Sequence, residues 1–186
     1  MAKNLAKISE DRRNSGLDDL IIKLDHVAYR VKKGEREKAM GELMNLAPYQ
    51  EYKSFKVKFA NAITSAIKLH ETLPVIVVSE GLSNDSIVEK YVQKYGGRVH
   101  HLAYLVSNIE KVVEIQKSRG VKFTTEEVIG SEEEGIKQIF TLPTETANHI
   151  IEYVQRFGDF DGFFTPSNIS ELMLSTDKLN EKTGEA

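Results

Sequence analysis

Two histidines that stand 75 residues apart in near-identical surroundings are the side chains of this sequence best placed to do chemistry. Residues 24–31 read LDHVAYRV and residues 99–106 read VHHLAYLV, so that His26 falls on His101, Ala28 on Ala103, Tyr29 on Tyr104 and Val31 on Val106. A fixed shift of this kind marks a duplicated structural unit. The same shift carries Val77 onto Glu152, within the stretch HIIEYV. An ionised carboxylate among such neighbours is costly unless it is paired or bound to a cation. The repeat therefore selects His26, His101 and Glu152 as a metal-ligating set, with no fourth protein ligand in view. Two imidazoles and one carboxylate, with other positions left open, form the donor set of non-haem Fe(II) oxygenases. Fe(II) is the expected ion, and another divalent metal suits the same donors. A lone strand histidine is more often a half-buried residue bonded to backbone; the matched repeat positions are what single out these two. Strict strand alternation puts His100 on the opposite face from His101. His70 and His149 read as surface residues at a turn and a strand start.

Holding these residues together takes two β-α-β-β-β half-units, about 21–80 and 97–156, inside one domain over 21–158. Apolar alternation and β-branched residues predict strands over 20–31, 49–59, 64–69 and 73–79, with a helix over 34–46. A helix over 85–95, ended by Gly96 and Gly97, links the halves. The pattern then restarts, with a strand over 98–106, a helix from Asn108 to about Arg119 and strands over 121–126, 135–142 and 147–155. The acidic stretch at 131–134 reads as a solvated hairpin loop. The expected fold is α+β, one curved eight-stranded mixed sheet around a metal cavity, with a C-terminal helix. Residues 1–20 form a polar N-terminal arm, because Leu5, Ile8 and Leu17 are too sparse for an apolar face. Four phenylalanines (Phe157, Phe160, Phe163 and Phe164) fall within eight residues, and burying each contributes about 1.5–3 kcal/mol. The segment 159–176, with a helix capped near Asn168, is expected to fold back as a lid over the cavity rather than merely close the bottom of the core. The final residues, 177–186, read as a disordered tail.

Composition excludes several alternatives. With 25 basic and 28 acidic residues, a net charge of −3 and no basic stripe, nucleic acid is not an expected partner. No apolar run approaches the roughly 18–20 residues of a membrane span. The basic N-terminal residues are not followed by the apolar run of a secretory signal. The absence of cysteine excludes disulfides, thiolate ligands and a cysteine nucleophile, and fits a cytoplasmic protein.

Beyond the triad, the blocks at 24–26, 87–103, 118–123, 137–141, 151–158, 162–164 and 168–169 resemble the vicinal oxygen chelate superfamily. Within it they are most similar to the C-terminal, catalytic half of the 4-hydroxyphenylpyruvate dioxygenases, over about residues 24–172. The resemblance implies that His26, His101 and Glu152 are iron ligands. It further implies that Gln138 is a catalytic polar residue facing the substrate, that Phe140 is an aromatic wall, and that Phe163 and Phe164 belong to a substrate-binding phenylalanine wall. Ser79 stands where the family has an asparagine that seats the substrate, and His100 where it typically has glutamine. A second, non-catalytic half is absent from this sequence. The implied activity is oxidative decarboxylation of a 2-oxo acid with O2. Two other readings stay open: a metal-dependent epimerase, isomerase or glyoxalase-like lyase, and a binding module that kept the fold without turnover. A homo-oligomer also stays open, although a full ligand set argues for one complete site per chain.

Overall fold

Alternating apolar and polar residues along eight short stretches build a sheet with one face for helices and one for a cavity. The structure, a computed structural model, describes residues 5–58, 60–158, 163–165, 171, 173 and 175. Helix α1 (Leu5–Asn14) and a 3-10 turn (Asp18–Leu20) precede the first unit, β1 (Ile21–Val31), α2 (Arg36–Leu46), β2 (Gln50–Val57), β3 (Ala62–Lys68) and β4 (Val75–Gly81). Helix α3 (Ile87–Tyr95) leads to the second unit, β5 (Arg98–Val106), α4 (Ile109–Ser118), β6 (Ile129–Ser131), β7 (Ile136–Phe140) and β8 (Ile150–Arg156). The strands form one sheet in the order β2-β3-β4-β1-β5-β8-β7-β6. The first strand of each unit pairs in parallel with its last, and β1 and β5 meet antiparallel at the centre. Register repeats with the sequence: Ala28 pairs with Val77 in the first unit, and Ala103 with Glu152 in the second. The fold is thus the expected mixed eight-stranded α+β sheet.

Each unit lays one helix on the outer face. Met40 of α2 packs with Ile67, Ile76 and Val78, while Ile109, Val112, Val113 and Ile115 of α4 pack with Val106, Ile139 and Tyr153. Leu17 joins this second cluster, so the N-terminal arm is anchored in the core at its end while α1 itself buries no side chain. No helix among the described residues is long and apolar enough to cross a membrane.

The expected strand over 121–126 is a correction. Phe123 makes one isolated bridge with Thr141, and the strand that pairs with β7 is Ile129–Ser131. Between the Phe123–Thr141 bridge and the Ile129–Gln138 pair, one arm advances six residues and the other three. The surplus, which includes the exposed Glu126 and Glu127, loops outward. Phe59, Phe160, Asn168 and the tail 177–186 lie outside the described residues.

At the end of β4 the chain passes closely over the start of α3, where Ser86 Oγ accepts a hydrogen bond from Glu89 N at 3.1 Å and caps the helix. A Cβ on Gly81 would collide with Ser86 Oγ and lie 2.9 Å from Glu89 Cβ. Gly81→Ala is expected to lower stability by about 1–3 kcal/mol, read as a lower urea midpoint at unchanged slope. Gly97→Ala, whose Cβ would meet nothing closer than 3.6 Å, serves as the control. Equal midpoints for the two variants would contradict this packing.

Candidate metal centre

The cavity face of β1 carries His26, Ala28 and Arg30, that of β4 carries Val77 and Ser79, and that of β8 carries Glu152. Pairing of β1 with β5 and of β5 with β8 brings His26, His101 and Glu152 together. His26 Nε2 and His101 Nε2 lie 3.2 and 3.0 Å from the same atom, Glu152 Oε2, and 3.2 Å from each other. Their donor atoms all fall within 4.8 Å, and they are the one such cluster found among the described residues. His26 is fully buried and Glu152 is 1% exposed. Gln138, also fully buried, donates its Nε2–H to Glu152 Oε1 and so leaves Oε2 for the histidine side.

Two bulges shape this centre. Between Leu24–Tyr104 and His26–Ala103 the chain advances two residues on β1 and one on β5, which bulges Asp25; between Ala28–His101 and Tyr29–Val99 it advances one on β1 and two on β5, which bulges His100. Asp25 and His100 occupy the same place in the repeat, one residue before each candidate ligand. Each also reaches the Nδ1 of the histidine that follows it: Asp25 Oδ2 lies 2.9 Å from His26 Nδ1, and His100 Nδ1 lies 2.8 Å from His101 Nδ1. Such partners fix ring orientation and leave Nε2 for a metal. The bulge corrects the expectation for His100. Its ring does not point away from His101 but lines the same cavity, 4% exposed. Alternation could not reveal this, because a bulge breaks the period of two. The available signal was a polar residue placed on what would otherwise be a helix-covered face. His70 is exposed as expected, and His149 is half-buried just before β8.

The remaining sequence-selected residues divide between cavity wall and support. Ser79, Phe140 and Phe164 line a cavity of about 60 Å³ together with Phe55, Thr64, Arg30 and Met173. Gln138 is not on that wall but behind Glu152. Phe163 and Phe164 both set their rings 5.3 Å from the His26 ring, and Phe140 sets its ring 4.8 Å from that of His101. Arg156, which the sequence did not single out, holds Asp25 through two hydrogen bonds of 3.1 and 2.8 Å and also donates to the Phe163 carbonyl at 2.9 Å. It ties the support of His26 to the phenylalanine segment.

Charge distribution supports a cation here. Burial opposes the His26 cation, but Glu152 and Asp25 facing it raise its pKa from 6.5 to about 9. Burial likewise opposes the Glu152 anion, yet the His26 charge and the hydrogen bonds from both histidines bring its pKa from 4.5 to about 2. Burial together with the charge of Arg30 pushes His100 well below the ordinary histidine range, so that it is neutral. Burial would raise Asp25, but the hydrogen bonds from His26 and Arg156 hold it below the usual carboxylate range. Without metal, a proton on His26 balances Glu152. A divalent ion fits the donor set in place of that proton: two imidazole nitrogens and a carboxylate oxygen, already oriented by hydrogen-bonded neighbours.

A family model described as Glyoxalase/Bleomycin resistance protein/Dioxygenase superfamily matches residues 23–140. Among curated proteins, Hemolysin VllY of Vibrio vulnificus (strain CMCP6) is 23% identical over 108 residues, which cover 55% of this chain and 30% of that protein. The chain thus spans about a third of the length of the curated relative it matches. Among solved structures, a methylmalonyl-CoA epimerase superposes with a TM-score of 0.63 at 25% identity, covering 75% of this chain and 99% of the other. A mutant of 4-hydroxymandelate synthase from Streptomyces coelicolor superposes with a TM-score of 0.72 at 22% identity, covering 86% of this chain and 55% of the other.

The His26 proton yields a pH prediction. Because its folded pKa lies above 6.5, the stability it contributes to the metal-free protein is complete below pH 6.5 and is lost as pH rises through about 9. Metal displaces the same proton, so metal affinity should rise between those pH values and level off above them. Calorimetry at about pH 7.5 in buffers of different ionisation enthalpy should record roughly one proton released per metal bound. Binding without proton release would contradict the assignment of that proton to His26.

Proposed function

The chain belongs to the glyoxalase/bleomycin resistance protein/dioxygenase superfamily, and we propose that it is a non-haem Fe(II) dioxygenase acting on a 2-oxo acid. The observation that carries this reading is the three-donor set itself. The repeat mate of Glu152 is Val77, an apolar residue 3% exposed in the cavity wall, so the protein offers three ligands and leaves the remaining positions open. Bound Fe(II) would supply Lewis acidity toward a 2-oxo acid and the electrons that dioxygen activation needs. The protein's own residues do the rest. Asp25 and His100 set the orientation of the two imidazoles, and Gln138 holds the Glu152 carboxylate. Phe140, Phe163 and Phe164 present aromatic faces and edges to the ligand cluster and exclude water from it. Phe163 and Phe164 thereby cover the ligand cluster, and Arg156 anchors Phe163 through its carbonyl.

A second reading, a metal-dependent epimerase or isomerase, draws support from the 25% identical methylmalonyl-CoA epimerase and from the neutral His100 inside the cavity, which could take and return a substrate proton. Oxygen separates the two. With Fe(II) loaded anaerobically, the dioxygenase reading predicts O2 uptake on adding a suitable aryl or alkyl 2-oxo acid, with one CO2 released per O2 consumed. Isomerisation or solvent-deuterium exchange without O2 uptake, supported equally by Co(II) or Ni(II), would replace it with the second reading.

A further inference from the structure

Arg156 ends β8 four residues after Glu152, on the same face by strand alternation. β5 lies between β8 and β1, so a contact with β1 has to span two strand spacings, about 10 Å. The long arginine side chain makes that contact. Its guanidinium is held on three sides. Nε donates to Asp25 Oδ1 at 3.1 Å, Nη2 to Asp25 Oδ2 at 2.8 Å, and Nη1 to the Phe163 carbonyl at 2.9 Å. With both oxygens engaged by one fork, the plane of the Asp25 carboxylate is fixed, and Oδ2 also lies 2.9 Å from His26 Nδ1. The pair is shielded from water, the Asp25 side chain being 9% exposed and that of Arg156 21%. Duplication does not account for it. The 75-residue shift carries Arg156 back to Gly81 and Asp25 onto His100, so neither charge has a counterpart in the other unit. One strand thus carries a candidate ligand, Glu152, and the tether of another.

We infer that Arg156 is a positioning residue for the metal centre: acting through Asp25, it locks the His26 ring with Nε2 turned toward Glu152, and metal affinity depends on that lock. The inference rests on the three-donor centre and holds for either activity considered above. Its sign separates it from a simple charge effect. By Coulomb attraction alone, removing a cation beside the cluster would tighten a divalent ion. Positioning predicts the reverse. An Asp25 carboxylate released from the fork rotates about its side-chain torsion, His26 Nδ1 loses a fixed partner, and the ring has to be ordered again when the ion binds.

Titration of the full chain with Co(II) tests this, with affinity read by competition with a chelator and ligand geometry by the visible absorption bands. Arg156→Gln should weaken Co(II) by about 10- to 100-fold and shift those bands. Arg156→Lys, which keeps the charge and reaches one oxygen instead of two, should recover part of the affinity. In an Asp25→Asn background, which itself weakens the ion, Arg156→Gln should add less than about twofold, because its route to the metal is already gone. Neither the lysine variant nor the double variant leaves a buried charge unpaired, so both remain informative if Arg156→Gln alone folds poorly. Arg12→Gln opens a forked pair with Asp18 at the surface and should bind Co(II) as the wild type does. Unchanged or tighter binding in Arg156→Gln, the full loss repeated in the Asp25→Asn background, or an equal loss in Arg12→Gln would overturn the positioning role. Oxygen uptake by Fe(II)-loaded wild type is read separately. Its absence, beside an Arg156-dependent Co(II) affinity, removes the dioxygenase and keeps the positioning role.

Discussion

A carboxylate sealed inside the sheet is the constraint from which the rest of this centre follows. Glu152 is 1% exposed and ionised, and a buried charge of that kind is unstable without a counter-charge and filled lone pairs. The protein satisfies one oxygen with Gln138 and turns the other toward two imidazole nitrogens. That solution needs β1, β5 and β8 to lie side by side in register, with Gln138 arriving from β7. The topology of the second unit is thus tied directly to the neutralisation of one side chain. In the first unit the equivalent position is Val77, and the same topology serves packing alone.

Duplication supplied symmetry, and the site departs from it where chemistry requires. Both candidate histidines follow a bulged residue on the central antiparallel pair, and both bulged side chains reach the Nδ1 of their neighbour. The bulged residues differ in kind. Asp25 is an anion tethered by Arg156, and it raises the basicity of His26. His100 is neutral and shares the cavity with Arg30. Two halves of one repeat thereby give the two imidazoles different electrostatic environments around one shared carboxylate.

Much of this was legible in the sequence because repetition transfers register as well as residues. The 75-residue shift that aligns Ala28 with Ala103 and Val77 with Glu152 is the shift that relates the two observed strand pairs. What escaped was whatever depends on a break in periodicity or on distant partners. Alternation sent His100 to the wrong face because it carries no information about bulges. It also set the sixth strand several residues early, because the surplus that loops out between Phe123 and Ile129 has no hydrophobic signature of its own. The contacts of Arg30 and Arg156 involve neighbours far along the chain, Tyr91 in one case and Asp25 in the other, and nothing in the local pattern of β1 or β8 points to them.

The central claim is that Glu152, His26 and His101 jointly hold one divalent ion. It is tested most directly by an anomalous-difference map at the iron edge, from crystals grown anaerobically with Fe(II). The account predicts a single strong peak within coordination distance of His26 Nε2, His101 Nε2 and Glu152 Oε2, absent from crystals of Glu152→Ala grown in the same way. A peak bound elsewhere, or one that persists at this position in Glu152→Ala, would contradict it.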